Sequence, residues 1–352
     1  MTVSADSRSE LLLEVEDLVV HYRIRRGWTG ALLRRPKRIV RAVDGLSLTL
    51  RRGEMLAVVG ESGCGKTTTA LALLRMIKPT AGSIHFEGQD ISRLRARRMR
   101  NLRRHIQMIY QDPYESLNPR RTVRQTIEEP LLVHGVGSSK PQRSQRVVEA
   151  LEAAELSPPS LYLDRYPEEL SGGQRQRVAI AASLVLGPDL LVADEPVSML
   201  DVSVRAGILA LFDRHKRREG TGIIMITHDL ATAAHFADRI AVMYLGRVVE
   251  EGPAREVVRN PQHPYSKALL SVVPSIHRDR QTNIQILSGG APDAATIPDG
   301  CRFQPRCPLA VEACRGVDPA LLPLPGPHTV DHRVACIVTN GNQQGDANPP
   351  AL

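Results

Sequence analysis

The sequence of 352 residues carries 46 Lys and Arg against 38 Asp and Glu, which gives a formal net charge of +8. At about 100–200 residues per domain, this length indicates roughly two domains, or one large domain with an appendage. Hydrophobic residues make up 42% and charged residues 24%, so disorder over the whole length is excluded. Aromatic residues, at 3%, are too few to favour a base-stacking surface for single-stranded nucleic acid.

No apolar run approaches the roughly 18–20 residues that a membrane-spanning helix needs, because the longest, residues 178–186, stops at Gly187-Pro188. Acidic residues interrupt the apolar stretch that follows the polar amino terminus, which disfavours a secretory signal peptide. These features predict a protein that stays in the cytoplasm, where cysteines serve metal binding or chemistry more often than disulfides.

The predicted elements, in chain order, alternate strands with helices. Short strands are predicted at residues 11–20, 46–50, 55–59 and 82–88, and helices at 68–77 and 93–104. Residues 113–188 have a helical composition, and strands return at 190–193, 223–226 and 240–244. This alternation indicates a mainly parallel sheet with crossover helices. Proline, histidine and cysteine become frequent after about residue 256.

A glycine-rich segment between a predicted strand and a predicted helix matches the phosphate-loop pattern G-x-x-x-x-G-K-[ST]. Its residues are Gly60, Glu61, Ser62, Gly63, Cys64, Gly65, Lys66 and Thr67, with Thr68 next in the chain. Glycines let backbone N–H groups converge on phosphates, and the helix amino terminus adds partial positive charge. We expect Lys66 to pair with the β- and γ-phosphates and Thr67 to ligate Mg²⁺, with Cys64 a packing residue. The alternative is an ordinary glycine turn before a helix.

The strand predicted at residues 190–193 ends in two acids, Asp194 and Glu195. Buried strands seldom end in paired carboxylates unless a cation or a water molecule needs them. We expect Asp194 to hold Mg²⁺ through its water shell and Glu195 to polarise the attacking water, which is worth about 10²–10⁴ in rate. Taken alone, the pair also fits a common capping arrangement, but the preceding phosphate loop favours the functional interpretation.

A second anion-binding pattern begins the helical run that follows Leu170. It consists of Ser171, Gly172, Gly173 and Gln174. With this LSGGQ segment the sequence resembles the ABC-transporter ATPase family, in which the signature motif of one subunit closes on the γ-phosphate held by the phosphate loop of another. The resemblance implies that these four residues contact the nucleotide of an opposing subunit.

The resemblance covers residues 11–255 and implies further roles. The matching positions are Gln111 in the glutamine loop, Asp201 in the D-loop, the switch histidine His228 and the adenine-stacking Tyr22. Gln111 would bind Mg²⁺ together with Thr67 and Asp194, and His228 would contact the γ-phosphate. The implied catalytic residues are Lys66, Gln111, Glu195 and His228. A histidine such as His228, considered alone, would more often be a core or capping residue.

The family's fold is an α/β P-loop NTPase, with a RecA-like core carrying an antiparallel β subdomain, a helical signature subdomain and, here, a small C-terminal extension. The divisions predicted on this sequence are 1–111 and 188–255 for the nucleotide-binding core, 112–187 for the signature subdomain, 256–340 for the extension and 341–352 for a disordered tail. One phosphate loop and one signature motif cannot form two composite sites. The chain is therefore expected to pair with a second ABC ATPase subunit, a copy of itself or a paralogue.

Four of the five cysteines fall in a proline-rich segment with little apolar sequence. They are Cys301, Cys307, Cys314 and Cys336. Thiolates in such a segment indicate a metal that supplies the missing folding energy. Four cysteines suit tetrahedral Zn²⁺ or an iron–sulfur cluster, and the C-x2–4-C pairs usual for zinc are absent. The alternative is four buried free thiols.

The same segment resembles the C-terminal extension of oligopeptide/dipeptide-importer ATPases. The match begins at Asn260-Pro261-Gln262-His263-Pro264-Tyr265 and continues through residues 300–308 and 332–336. Members with all four cysteines are associated with a [4Fe–4S] cluster, so the resemblance favours the cluster over zinc. The implied cofactors are ATP, Mg²⁺ and a [4Fe–4S] cluster, with Zn²⁺ as the alternative to the cluster.

The resemblance implies ATP hydrolysis that energises uptake of short peptides through a membrane permease. The implied partners are the second ATPase subunit, two transmembrane permease subunits and, indirectly, an extracytoplasmic solute-binding protein. The chain would lie peripherally on the cytoplasmic face of the cell membrane. Import of a nickel chelate or an oligosaccharide remains open, and a soluble ABC ATPase acting on nucleic acid is a less favoured alternative.

The positive charge is concentrated in two acid-free runs. Residues 23–41 and 93–104 hold eight and seven basic residues, without which the net charge of +8 becomes −7. A nucleic-acid partner is therefore not expected. Solvated faces account for the runs, and a surface near anionic lipid or the permease is the functional alternative.

Overall fold

The computed structural model of the protein describes residues 11–23, 39–271, 293–324 and 331–341. Most of the first basic run and most of the predicted tail lie outside these residues. The strands are β1 (Leu11–Arg23), β2 (Ile39–Arg51), β3 (Met55–Val59), β4 (Ala81–Phe86), β5 (Gln89–Asp90), β6 (Ile106–Ile109), β7 (Leu190–Asp194), β8 (Gly222–Thr227), β9 (Arg239–Tyr244), β10 (Arg247–Pro253), β11 (Leu322–Pro323) and β12 (Arg333–Val334). The helices are α1 (Lys66–Leu73), α2 (Ala96–Leu102), α3 (Pro113–Ser116), α4 (Val123–His134), α5 (Lys140–Ala153), α6 (Gly172–Leu184), α7 (Val202–Glu219), α8 (Leu230–Phe236), α9 (Ala254–Arg259), α10 (Pro264–Ser271) and α11 (Ile337–Asn340).

Parallel strands form the centre of an eight-stranded sheet with the order β11-β12-β10-β9-β3-β8-β7-β6. Strand β3 runs parallel to β8 and β9, and β7 runs parallel to β8 and β6. The register pairs Val59 with Thr227 and Asp194 with Ile226, so β3, β7 and β8 end at one edge. Open α/β sheets bind ligands at the carboxyl ends of their strands, which makes this edge the place to look for a site.

Strand β3 is buried along its whole length because both faces of the sheet are covered. Met55, Ala57 and Val59 belong to one apolar cluster, and the alternate residues Leu56 and Val58 belong to a second. A strand with two covered faces has a continuous apolar sequence, which is the pattern that predicted it.

A second, four-stranded antiparallel sheet has the order β2-β1-β4-β5. Val15 of β1 pairs with Leu48 on one side and Ile84 on the other. The ladder is irregular near Asp17, where a Cβ on Gly82 would lie 2.3 Å from the Asp17 carbonyl oxygen. This sheet carries Tyr22, near the end of β1, to the edge of the larger sheet where β3, β7 and β8 end.

The chain between β6 and β7 is helical, as its composition predicts. Helix α4 begins at a capping box in which Thr122 and Gln125 satisfy each other's backbone N–H groups. Ser171 and Gln174 make the same reciprocal contacts at the start of α6. Within the described residues, no helix is both long and apolar enough to cross a membrane.

Several elements differ from their predicted bounds. Strand β2 begins at Ile39 rather than at residue 46, and α1 begins at Lys66 and ends earlier than predicted. Strands β6 and β10 were not predicted; β6 has four residues, too few to show a period. Strand β12 pairs with β10, so residues of the predicted extension join the edge of the large sheet.

Candidate active site

A cavity of about 400 Å³ opens at the edge where β3 and β7 end. Its lining consists of Tyr22, Val40, Ala42, Ser62, Gly63, Gly65, Lys66, Thr67, Thr68, Gln111, Glu195 and Ala294. Nine of these were predicted from the sequence, and Val40, Ala42 and Ala294 were not. A larger cavity of about 580 Å³ lies at the opposite edge of the same sheet, beside Asp189 and Thr221. Its lining contains both acidic and basic residues and none of the phosphate loop.

Glycines let the phosphate loop lie directly against neighbouring backbone. A Cβ on Gly60 would lie 2.2 Å from the Met243 carbonyl oxygen, and one on Gly65 would lie 2.0 Å from that of Ala42. Gly65 also has a φ of 108°, in the left-handed region that favours glycine. A side chain at either position would displace the loop from β2 or β9.

Lys66 is 5% exposed, and its ammonium group lies against backbone carbonyl groups of the phosphate loop. It donates hydrogen bonds to the carbonyl oxygens of Gly60 at 2.7 Å and Glu61 at 3.0 Å. Helix α1 begins at Lys66, so the N–H groups of its first turn border the same loop. A cation beside the N–H groups of a helix's first turn is an arrangement that binds a phosphate group.

Cys64 lies in this loop but does not line the cavity. Its side chain is buried, and burial raises the pKa of the thiol. This environment agrees with a packing role.

Asp194 places a buried carboxylate beside Thr67. Burial raises the pKa of Asp194, and a hydrogen bond with the Thr67 side chain partly opposes that effect. In the described part of the chain, Oδ1 of Asp194 has no hydrogen-bond partner. A buried carboxylate oxygen with spare acceptor capacity, next to a hydroxyl group, fits the oxygen ligands that Mg²⁺ prefers.

Glu195 brings the other predicted catalytic side chains together. Its Oε2 accepts a hydrogen bond from Nε2 of Gln111 at 3.1 Å and lies 3.3 Å from Nδ1 of His228. Glu195 has a φ of 45°, a left-handed conformation held by its N–H donating to the Ile226 carbonyl at 2.9 Å. Strain of this kind in a residue with a β-carbon is found where the surrounding structure fixes a functional side chain.

The signature motif and the D-loop lie outside the cavity lining. Ser171, Gly172, Gly173 and Gln174 form the start of α6, where a Cβ on Gly173 would lie 2.7 Å from Cγ1 of Val204. Asp201 is exposed at the start of α7, and its neighbour Met199 is 58% exposed. The structure therefore does not bring these residues to the phosphate loop of their own chain.

Ala294 was missed because an alanine in a Pro- and Ala-containing segment carries no sequence signal for a binding site. Its carbonyl oxygen accepts a hydrogen bond from the N–H of Arg41 at 3.1 Å, which seats the extension against β2. Predicting this contact requires knowing where residues 293–300 return to the core.

The four cysteines of the extension are free thiols. Cys301 donates its backbone N–H to the Cys314 carbonyl at 2.8 Å. Burial raises the pKa of Cys301 to about 11, and the nearby Cys314 and Cys336 act in the same direction. Burial also raises the pKa of Cys307. Among the described residues, no three His, Cys, Asp or Glu side chains are arranged to hold a single metal ion.

A phosphate loop, a carboxylate pair at the end of a parallel strand and a glycine-rich helix start define an ATPase of the ABC class. The ABC transporter family model matches residues 43–198, and the model of the oligopeptide/dipeptide transporter C-terminal region matches residues 249–314. An ATP-binding cassette, MJ0796, solved as a dimer with ADP and Pi, aligns with 69% of this chain and 99% of its own, at 28% identity and a TM-score of 0.61. The cassette cbiO1 from Clostridium perfringens covers 71% of this chain and 92% of its own, with 28% identity and a TM-score of 0.60.

Relatives of similar length match along most of the chain. The dipeptide transport ATP-binding protein DppF of Escherichia coli is 42% identical over 91% of this chain and 94% of its own. The oligopeptide transport ATP-binding protein AppF of Bacillus subtilis is 43% identical over 88% of this chain and 93% of its own. The chain belongs to the ABC transporter ATPase family, which confirms the predicted family, fold class and ATPase activity, and with them ATP and Mg²⁺.

Proposed function

We propose that this chain is the ATP-hydrolysing subunit of an importer for short peptides. The observation that carries the proposal is the match of residues 249–314 to the oligopeptide/dipeptide transporter C-terminal region. Relatives named for dipeptide and oligopeptide transport, matched over 91% and 88% of this chain, support the same solute class.

The chemistry follows from the arrangement in the cavity. Lys66 would neutralise the β- and γ-phosphates, and Thr67, Asp194 and Gln111 would hold Mg²⁺. Glu195 would accept a proton from the water that attacks the γ-phosphorus, and the bond from that phosphorus to the bridging oxygen would break to release ADP and phosphate. Bound there, Mg²⁺ would help to neutralise the negative charge of the reacting phosphates.

His228 and Tyr22 complete the proposed nucleotide site. His228 contacts Glu195 and would orient the γ-phosphate, and Tyr22, which is 43% exposed at the cavity, would stack on adenine.

A second ATPase subunit completes the proposed site. Ser171 and the glycines after it lie outside the cavity of their own chain, as does the exposed Asp201. In a head-to-tail pair these residues would meet the γ-phosphate of the partner chain. Two permease subunits and, indirectly, an extracytoplasmic solute-binding protein are the remaining partners, and the pair would work at the cytoplasmic face of the membrane.

The test is reconstitution of the chain with its co-purifying permease in liposomes. We expect ATP hydrolysis to rise when a peptide-loaded binding protein is added, and to stay at its basal rate with the unloaded binding protein. Stimulation by a nickel chelate or an oligosaccharide instead of a peptide would replace the proposed solute. Salt-dependent binding of DNA or RNA, without a co-purifying permease, would overturn the transport function.

We further propose that Cys301, Cys307, Cys314 and Cys336 hold a [4Fe–4S] cluster. The thiols of Cys301 and Cys307 each interact electrostatically with those of Cys314 and Cys336, which supports a shared site. The resemblance of this segment to members associated with a [4Fe–4S] cluster favours the cluster over zinc. Anaerobically purified protein should contain iron and sulfide and absorb broadly near 400 nm. Stoichiometric zinc would overturn the cluster.

A further inference from the structure

The first residue after Gly60 in the phosphate loop is held by the C-terminal extension. The backbone N–H of Glu61 donates to the hydroxyl oxygen of Tyr265 at 2.9 Å. Tyr265 is fully buried, and its ring packs against those of Tyr244 at 4.7 Å and Phe303 at 5.5 Å between centroids. The hydroxyl group therefore has little freedom to leave the loop.

The side chain of Glu61 is held by the same extension. Arg306 donates two hydrogen bonds to the Glu61 carboxylate, at 2.9 and 3.1 Å, and its side chain is 11% exposed. The guanidinium group also lies over the Tyr244 ring, 6.0 Å from its centroid. A bidentate pair with one partner stacked on an aromatic ring fixes orientation as well as distance.

Glu61, held by Tyr265 and Arg306, in turn contacts the lysine of the loop. Its carbonyl oxygen accepts a hydrogen bond from Nζ of Lys66 at 3.0 Å. Two hydrogen bonds thus connect Tyr265 to Lys66 through the backbone of a single residue, Glu61. Because the loop binds phosphates with its backbone, a residue that fixes its backbone prepares the site before the nucleotide arrives.

The extension also touches the side of the cavity near Tyr22. Arg302, which is 5% exposed, pairs with Asp44, and Asp44 accepts a hydrogen bond from Nε2 of His21 at 2.7 Å. Ala294 lines the cavity itself. The extension thus lines the cavity through Ala294 and holds Glu61 of the loop whose neighbouring residues line it, so it borders the candidate nucleotide site.

We propose that Tyr265 and Arg306 are positioning residues for the ATPase reaction, which hold Glu61 and thereby keep the phosphate loop and Lys66 in the form that binds ATP. Loss of either contact lets the empty loop relax, and ATP must then reorder it on binding. The free energy spent on reordering the loop lowers the affinity for ATP. Bound phosphates restore the loop, so turnover at saturating ATP changes little.

The experiment uses the full chain, with Mg²⁺-ATP as the probe. Tyr265→Phe keeps the packed ring and removes the hydroxyl, and Arg306→Gln removes the ion pair. We expect each to raise the KM and the Kd for ATP roughly three- to tenfold, with kcat within about twofold. Matched controls are Tyr162→Phe, in the helical segment, and Arg333→Gln, which breaks an extension-to-core pair with Glu251 away from the loop.

Two outcomes would overturn the proposal. One is an unchanged KM and Kd in both variants, with a lower unfolding midpoint like that of Arg333→Gln, because the contacts would then hold only the fold. The other is an equal effect of Arg306→Gln in the wild type and in a Glu61→Gln background, since the arginine would then not act through Glu61. Should Arg306→Gln fail to fold, Arg306→Lys keeps one hydrogen bond and is expected to give an intermediate KM.

Discussion

Asp194-Glu195 and Glu250-Glu251 are both pairs of consecutive acids carried by the eight-stranded sheet. The first pair ends β7, where Oδ1 of Asp194 has no partner among the described residues and Glu195 has a φ of 45°. The second pair lies within β10 and is 0% and 1% exposed. The two pairs share a residue type and differ in how much of their hydrogen-bonding capacity the protein itself uses.

The second pair is fully engaged in joining the extension to the core. Glu250 accepts hydrogen bonds from the N–H groups of Gln262 at 2.8 Å and His263 at 2.9 Å. It also accepts one from His332 at 2.8 Å, and Glu251 pairs with arginines on two elements. A carboxylate whose two oxygens are both paired within the protein serves architecture, and one with an unpaired oxygen at a strand end is available for chemistry.

The largest expected effect is the loss of ATP hydrolysis when Glu195 of the first pair is replaced. Glu195→Gln keeps the shape and removes the proton acceptor, so single-turnover ATP hydrolysis is expected to fall about 10²–10⁴-fold. ATP-dependent dimerisation should persist. The exposed Glu256 provides the control, because Glu256→Gln should hydrolyse ATP at the wild-type rate. Hydrolysis by Glu195→Gln within tenfold of wild type would remove this residue from the role of general base.

A large loss of stability is expected when the second pair is broken. Glu250→Ala leaves two backbone N–H groups and His332 without their acceptor in a buried site, which costs about 3–5 kcal/mol in the free energy of unfolding. Urea denaturation of the full chain measures it. A cost below about 1 kcal/mol would mean that the extension is not anchored through this carboxylate.

Next in size is a pH dependence in the segment bound by Glu250. Burial lowers the pKa of His263 to about 4 from its usual 6.5, and Nδ1 accepts a hydrogen bond from the N–H of Tyr265 at 3.1 Å. Between these pH values the unfolded chain binds the proton and the folded chain does not, so stability falls as the pH drops from 6.5 towards 4.

The size of that loss is about 3 kcal/mol. His263→Asn supplies an acceptor that does not titrate, and unfolding free energies measured across this pH range should fall less steeply than those of the wild type. Parallel profiles for the two proteins would show that His263 does not carry the dependence.

The smallest expected effect concerns Asp194 of the first pair. It is a gain in stability, whereas the two preceding predictions are losses. Because burial raises the pKa of Asp194, its carboxylate costs stability above the ordinary pKa of an aspartate. Asp194→Asn should therefore make the nucleotide-free protein slightly more stable at pH 7, by less than about 1 kcal/mol. Asp238→Asn is the matched control and should destabilise, because Asp238 accepts hydrogen bonds from Lys216 and the Met55 N–H. A similar loss of stability in Asp194→Asn and in Asp238→Asn would contradict the expected difference between these two carboxylates.

Local sequence patterns predicted much of the fold and of the candidate site. The run Met55–Val59, the glycines after it and the helix beginning at Lys66 are neighbours in sequence, so their pattern predicts how they meet. Glu195 was predicted from the acids that end a strand, and Gln111 and His228 by resemblance to a family. The structure brings Gln111 and His228 to 3.1 and 3.3 Å from Glu195.

The remainder depends on contacts that sequence patterns do not contain. Glu250-Glu251 has no period or motif that marks a buried anchor, because its partners come from the later residues Gln262, His263 and His332. Tyr265 belongs to a recognised segment, but its target is a peptide unit 204 residues earlier. Such contacts require the tertiary structure, since either partner alone is an ordinary residue.

The distance along the chain between Glu61 and Tyr265 also sets an order of events during protein synthesis. A ribosome releases the amino-terminal part first, so the phosphate loop leaves it about two hundred residues before the tyrosine that supports it. A nascent chain therefore has a complete loop sequence before Tyr265 can contact it. On the role proposed for Tyr265, high affinity for ATP would be acquired only after the extension has folded onto the core.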